Sequence, residues 1–180
     1  IGACATAGGI QALRNFSDTK DWIEDIYAQP QYISSLDTSM AISSYVRVDF
    51  ELWGCPVNGK QVIEVVCSLL SGMQPKDNCD KQCLECKRNQ NICVMVTKNI
   101  PCMGPVTRSG CGALCPQFGR DCYACYGPAE NCNANSLATR FEGIGLLPDD
   151  ISRRFLFINN NASPYKETGI AWKKRQSHDK

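Results

Sequence analysis

The chain has 180 residues, 43% of them hydrophobic and 21% charged, with a formal net charge of +1. That balance fits one globular domain, or one domain with a small appendage, and excludes an electrostatic case for nucleic acid or an anionic membrane surface. The best apolar run, Val62 to Leu70, contains Glu64 and is far too short to cross a bilayer, so no membrane insertion is expected.

The chain opens on Ile1-Gly2-Ala3-Cys4, which reads as the end of a buried strand, and upstream sequence is expected to be missing. Ala5 to Gly9 is a small-residue turn, and Ile10 to Arg14 starts a helix. Such a turn aims backbone N–H groups at Cys4, donors suited to an anionic sulfur cluster; an ordinary tight turn around a buried cysteine fits equally well. Asp21 to Tyr27 has helical spacing and ends near Pro30, and Ile33 to Ser44 is polar and irregular. Ser44 to Phe50 alternates and is rich in β formers, so a strand is expected there. Gly54-Cys55-Pro56 follows, then a helix over Gly59 to Ser71, with Val62, Ile63, Val66, Leu69 and Leu70 on one side and Cys67 as a core residue. Strand, cysteine-bearing turn and helix thus occur twice. In an open α/β sheet such turns gather at the carboxyl ends of the strands, so Cys4 and Cys55 are expected to converge on one object.

From Met73 the composition changes: cysteine, glycine and proline rise and helical periodicity vanishes. Eight of the thirteen cysteines read Cys83-x2-Cys86-x6-Cys93-x8-Cys102-x8-Cys111-x3-Cys115-x6-Cys122-x2-Cys125. Disulfides suit short secreted chains, and no signal-peptide pattern is present; an odd count also strands a thiol. Zinc is open, because C-x2-C pairs build tetrahedral sulfur sites. Iron–sulfur ligation fits best, since the eight divide into two fours without help from histidine, whose one copy, His178, lies in the tail. Gly104, Gly110, Gly112, Gly119 and Gly127 let the backbone fold closely around something bulky, and a segment so poor in apolar periodicity needs a metal centre to organise it. Cys79 and Cys132 flank the block and read as free thiols. After Asn135, Ser136 to Phe141 and Pro148 to Phe157 are expected to be short helices. Asn159-Asn160-Asn161 ends that region, and the last dozen residues, with Lys173-Lys174-Arg175, read as an extended, solvated basic arm. Asn15-Phe16-Ser17 and Asn161-Ala162-Ser163 fit the glycosylation pattern but carry no meaning in a cytoplasmic chain.

Gly2-Ala3-Cys4-Ala5 with Gly8-Gly9, and Val48-Asp49-Phe50 leading to Gly54-Cys55-Pro56-Val57-Asn58, resemble the proximal-cluster half of a [NiFe]-hydrogenase small subunit. Cys83-Leu84-Glu85-Cys86-Lys87 through Cys93, Pro101-Cys102-Met103-Gly104-Pro105 through Cys111-Gly112-Ala113-Leu114-Cys115-Pro116, and Gly119-Arg120-Asp121-Cys122-Tyr123-Ala124-Cys125 are more specific. They resemble the delta subunit of cytoplasmic sulfhydrogenases and the small subunits of F420-type hydrogenases, over most of residues 1 to 160. The resemblance implies an α/β fold: a flavodoxin-like domain over 1–72 with its first part missing, a ferredoxin-like segment with two [4Fe-4S] clusters over 73–132, and short helices with a basic tail over 133–180. It implies an electron-transfer subunit without catalytic residues of its own. Such a subunit docks on a [NiFe] large subunit and relays electrons to flavin/NAD(P)- or F420-linked subunits in the cytoplasm. It makes Cys83, Cys86, Cys93, Cys102, Cys111, Cys115, Cys122 and Cys125 ligands of the two clusters. Cys4 and Cys55 become two ligands of a third, proximal cluster whose other two lie upstream of Ile1. By analogy with two-cluster ferredoxins, where the cysteine before a proline serves the other cluster, Cys83, Cys86, Cys93 and Cys125 are expected in one and Cys102, Cys111, Cys115 and Cys122 in the other. Three alternatives remain open. The cluster-bearing subunit of NADH dehydrogenase shares the Gly-x-Cys-Ala and Gly-Cys-Pro motifs but has one cluster. A zinc-stabilised interaction module would be colourless. An enzyme with its own site would need titrating groups that the sequence does not reveal.

Overall fold

The computed structural model describes residues 1–77 and 80–176, so Cys79 and His178 lie outside the described residues. These residues form nine α-helices joined by turns and short 3-10 segments: α1 Ala3–Ala7, α2 Thr19–Ile26, α3 Gly59–Leu70, α4 Gln82–Arg88, α5 Val94–Lys98, α6 Leu114–Gln117, α7 Ala134–Gly143, α8 Pro148–Phe155 and α9 Ser163–Gln176. None is long and apolar enough to cross a membrane.

The core lies between the cysteine-rich segment and the last three helices. Leu137, Ala138 and Phe141 of α7, Ile151 and Phe155 of α8, and Tyr165 and Trp172 of α9 pack with Met103, Val106, Cys102 and Cys122. The rings of Phe155 and Tyr165 meet edge to face with centroids 6.0 Å apart. Helices α8 and α9 approach closely because Gly169 has no side chain: a Cβ there would sit 2.5 Å from Leu156 Cγ. Ser152 Oγ–H donates to the Gly169 carbonyl at 2.8 Å across the same contact. The expected extended arm is therefore overturned in its described part. Tyr165, Thr168, Gly169 and Trp172, spaced i, i+3, i+4 and i+7, form one buried helical face.

The asparagine triplet connects three parts of the chain. Asn159 Nδ2–H donates to the Ala124 carbonyl at 2.6 Å, Asn160 to Gly9 at 3.4 Å, and Asn161 to Ser39 at 2.9 Å. Asn15 pairs with Ser39 through both ends of its amide, at 2.7 and 2.9 Å. Both sequon asparagines thus serve as backbone clamps.

The first third departs most from expectation. The α/β sheet is not formed: among the described residues the only β pairings are two isolated bridges, Lys81 with Arg108 and Thr107 with Pro128. Ile1 to Cys4 does not end a strand, since Ala3–Ala7 is helical, and Ser44 to Phe50 is turn and coil. A strand persists only with a hydrogen-bonded neighbour, and the pairing here stops at Gly2 N–H to Leu52 O, 2.7 Å, and Ala3 N–H to Gly54 O, 2.9 Å. Without a sheet to cover it, α3 has no buried residue, and Cys67 is exposed rather than in the core. The helix itself forms as expected, capped by the Asn58 side chain accepting from Lys60 N–H.

Candidate metal centre

Short helices carry the cysteine block, where no helical periodicity was expected. In α4, Cys83 and Cys86 stand three residues apart on one face. Cys93 caps the start of α5, and a left-handed turn at Asn99 (φ 52°) brings the chain back to Cys102. Cys111 sits between Gly110 and Gly112, both at positive φ, and Cys115 lies in α6. Ala124, at φ 60°, turns the chain between Cys122 and Cys125, and the Asn159 amide holds its carbonyl.

The thiols fall into two groups. Burial pushes the Cys83 thiol up to about 11, and the neighbouring Cys102, Cys93 and Cys86 push in the same direction. Burial likewise pushes Cys125 up to about 11, with Cys111 and Cys115 as its charged neighbours. Cys122 is raised further, by burial first and then by Cys102 and Cys125. Cys83 thus has Cys86, Cys93 and Cys102 as neighbours, a first group, and Cys125 has Cys111, Cys115 and Cys122, a second, while Cys122 also faces Cys102. These neighbours differ from the division expected from the ferredoxin analogy, which places Cys125 with Cys83 and Cys102 with Cys122. Gly104 lies between Cys83 and Cys102. A Cβ on Gly104 would lie 3.3 Å from Cys83 Sγ and 3.5 Å from Cys102 Sγ.

The two groups touch. Cys122 N–H donates to Cys102 Sγ at 3.3 Å, and Met103 N–H to the Cys122 carbonyl at 3.1 Å. The second group also has Cys55 beside Cys125. Cys4 is brought to the same edge by the Gly2–Leu52 and Ala3–Gly54 hydrogen bonds. Gly9 packs on it so closely that a Cβ would stand 2.7 Å from Cys4 Sγ. Cys4, Cys55 and Cys93 are exposed, and Cys102 and Cys122 are buried. Cys132 stands apart, raised by burial and flanked by Lys81 and the Ala134 N–H.

An iron–sulfur group fits these residues. All twelve described cysteines are free, so none is spent in a disulfide. Gly104 leaves side-chain-free space between two sulfurs of the first group. Backbone N–H groups point at the sulfurs: Cys122 at Cys102, 3.3 Å, and Ala124 at Cys122, 3.4 Å. Donors of this kind stabilise anionic sulfur. Among the described residues no three Cys, His, Asp or Glu side chains converge on the position of a single ion.

Several residues around the thiols carried no motif. Glu85, between Cys83 and Cys86, accepts from Gly110 N–H at 3.1 Å and Ala113 N–H at 3.2 Å, and so ties α4 to the Cys111 loop. Asp121 pairs with Arg154 of α8, whose guanidinium also lies over the Tyr123 ring at 5.5 Å. Trp53 packs on Gly127 and under Arg108, and Asn58 Nδ2–H donates to Gly110 O at 3.3 Å, docking the first third beside the second group. A polar residue inside a cysteine-dense or apolar run, as at Glu85 and Asn159, is the one signal that was available.

A family model described as NADH ubiquinone oxidoreductase, 20 Kd subunit, matches residues 1–69. Sulfhydrogenase 2 subunit delta of Pyrococcus furiosus is 35% identical over 151 residues, covering 83% of this chain and 62% of that protein. A vhu-type subunit of the F420-non-reducing hydrogenase of Methanocaldococcus jannaschii is 26% identical over 185 residues, covering 84% and 64%. The iron-sulfur subunit of the F420-non-reducing hydrogenase of Archaeoglobus profundus is 27% identical over 177 residues, covering 71% and 55%. The chain spans less than two thirds of the length of each of these relatives. It is thus similar to subunits of hydrogenases, which are oxidoreductases.

Proposed function

We propose that this chain is the iron–sulfur electron-transfer subunit of a [NiFe]-hydrogenase. It relays electrons between hydrogen chemistry on a large subunit and a flavin/NAD(P)- or F420-linked partner, in the cytoplasm. The observation that carries this reading is eight free thiols in one segment, with Cys83 and Cys102 on either side of Gly104 and Cys122 N–H bonded to Cys102 Sγ. A [4Fe-4S] cluster in each group would supply one-electron storage. The chain's own residues hold sulfur as thiolate, aim backbone N–H groups at it, and exclude water from Cys102 and Cys122.

The order of contacts supports a path along the fold. Cys4 and Cys55 stand at one edge and would contribute to a third, proximal centre. Cys55 touches Cys125 of the second group, Cys122 touches Cys102 of the first, and Cys93 of the first group opens to solvent. No acid, base or nucleophile is assigned to catalysis in this chain. The units 1–72, 73–132 and 133–180 correspond in this reading to the proximal part, the two-cluster part and the helical support.

Iron, sulfide and zinc content on protein purified without air, with EPR after dithionite reduction, tests the reading. About eight irons with matching sulfide, and the coupled signal of two neighbouring reduced clusters, are expected. Zinc without sulfide and a silent spectrum overturn it.

A further inference from the structure

Gln82 precedes the first cysteine of α4, yet its side chain serves the other thiol group. It is 1% exposed. Its Oε1 accepts from the Cys111 thiol at 3.5 Å, and its Nε2 is buried with no hydrogen-bond partner. The helix explains the crossing. Cys83 and Cys86 share one face, whereas Gln82 and Glu85, also three apart, share the face one step round. That second face meets the Cys111 loop: Glu85 holds Gly110 N–H and Ala113 N–H, and Gln82 meets the sulfur between them.

The contact cannot survive ligation as it stands. A metal-bound Cys111 is a thiolate and has no proton to give, so Gln82 Oε1 would face a second acceptor. The two ends of an amide have the same shape, and a half-turn about the last side-chain bond exchanges them. That turn puts an N–H donor at 3.5 Å from Cys111 Sγ and gives the unpartnered Nε2 a partner.

We propose that Gln82 donates a side-chain hydrogen bond to the Cys111 sulfur and sets the reduction potential of the second group's cluster alone. This inference rests on the iron–sulfur reading above. Cys111 lies beside the Ala113 and Leu114 backbone N–H groups, and the Gln82 amide is a further donor, from a side chain that can be changed without touching the loop. A donor to sulfur favours the more negative, reduced form and raises the potential. The first group draws its donors elsewhere, from Cys122 and Gly104. Gln82 therefore sets the two centres apart in potential, although they share α4.

The test uses the holoprotein with its associated subunits, purified without air, in which glutamine carries 15N at the side-chain amide. Pulsed EPR of the reduced protein is expected to show an amide-15N coupling that Gln82→Met abolishes. In a redox titration followed by EPR, Gln82→Met is expected to leave iron and sulfide unchanged. It lowers the reduced-to-oxidised ratio of one centre at fixed potential by about tenfold, which is about 59 mV for one electron, while the other centre does not move. Gln82→Asn, which keeps the amide but withdraws it, is read in the same two ways and decides the matter if Gln82→Met loses its clusters. Clusters present with no coupling lost and no midpoint moved overturn the role of Gln82 and leave the electron-transfer reading standing. Wild-type protein without iron and sulfide overturns both.

Discussion

Cys83 and Cys125 hold their protons to about 11 because burial penalises the thiolate, whereas the unfolded chain releases them near 9. The folded metal-free chain therefore keeps this stabilisation below pH 9 and loses it as pH rises from 9 through 11. Urea midpoints of chelator-treated protein should fall across that window, and a flat profile there contradicts the burial. Loading with iron reverses the preference, because ligation requires the thiolate. Individual substitutions separate the two groups. Cys102→Ala is expected to remove about half of the iron and the signal of the Cys83 group only, by iron analysis and EPR; loss of the Cys111 group's signal instead would restore the ferredoxin-like division. Gly104→Ala places a methyl 3.3 Å from Cys83 Sγ, in the space between two sulfurs, and should act on the same centre. Cys67→Ala, on an exposed helix, should change stability by less than about 0.5 kcal/mol and leave iron content as it was.

Helices α8 and α9 form the tightest pair, and their contact depends on one missing side chain. Gly169→Ala drives a methyl into Leu156 and is expected to cost about 1–3 kcal/mol by overpacking. Phe155→Ala, which opens a cavity between Phe141 and Tyr165, should cost about 3–5 kcal/mol. Thermal unfolding followed by circular dichroism measures both, and equal midpoints for wild type and Gly169→Ala would show that the pair is looser than the structure has it. Apolar spacing made α2, α3, α7 and α8 legible as helices. It hid α9, whose buried face includes Thr168 and Gly169, and α1, built from Ala3-Cys4-Ala5-Thr6-Ala7. Small and polar residues carry no apolar period even when a helix buries them.

Stability across the chain is uneven. Beyond α1, the following 3-10 turn, Gly54 and Pro75, the first 77 residues bury almost nothing, while Trp22, Tyr32, Leu36, Tyr45, Ile63 and Leu70 stand at 60% exposure or more. From Val94 to Trp172 a core of buried residues runs under the thiols. Segments with few buried contacts open first. Limited proteolysis should therefore cut between Tyr27 and Phe50 before it cuts between Gln82 and Trp172, with the sites mapped by mass spectrometry. Early cuts within α7 to α9 would contradict that order.

Cysteine number and spacing were enough to mark the metal-binding segment, because ligation needs particular atoms and a flexible backbone, and both are written locally. Helix positions with an apolar stripe were legible for the same reason. Which thiols lie side by side was not, since that depends on Gly104 between Cys83 and Cys102 and on the Cys122–Cys102 contact, and spacing along a chain does not report which distant loops meet. Nor was the absence of a sheet among the described residues. Ser44 to Phe50 has the residues of a strand, but a strand exists only when another backbone lies alongside it, and only tertiary structure supplies or withholds that neighbour.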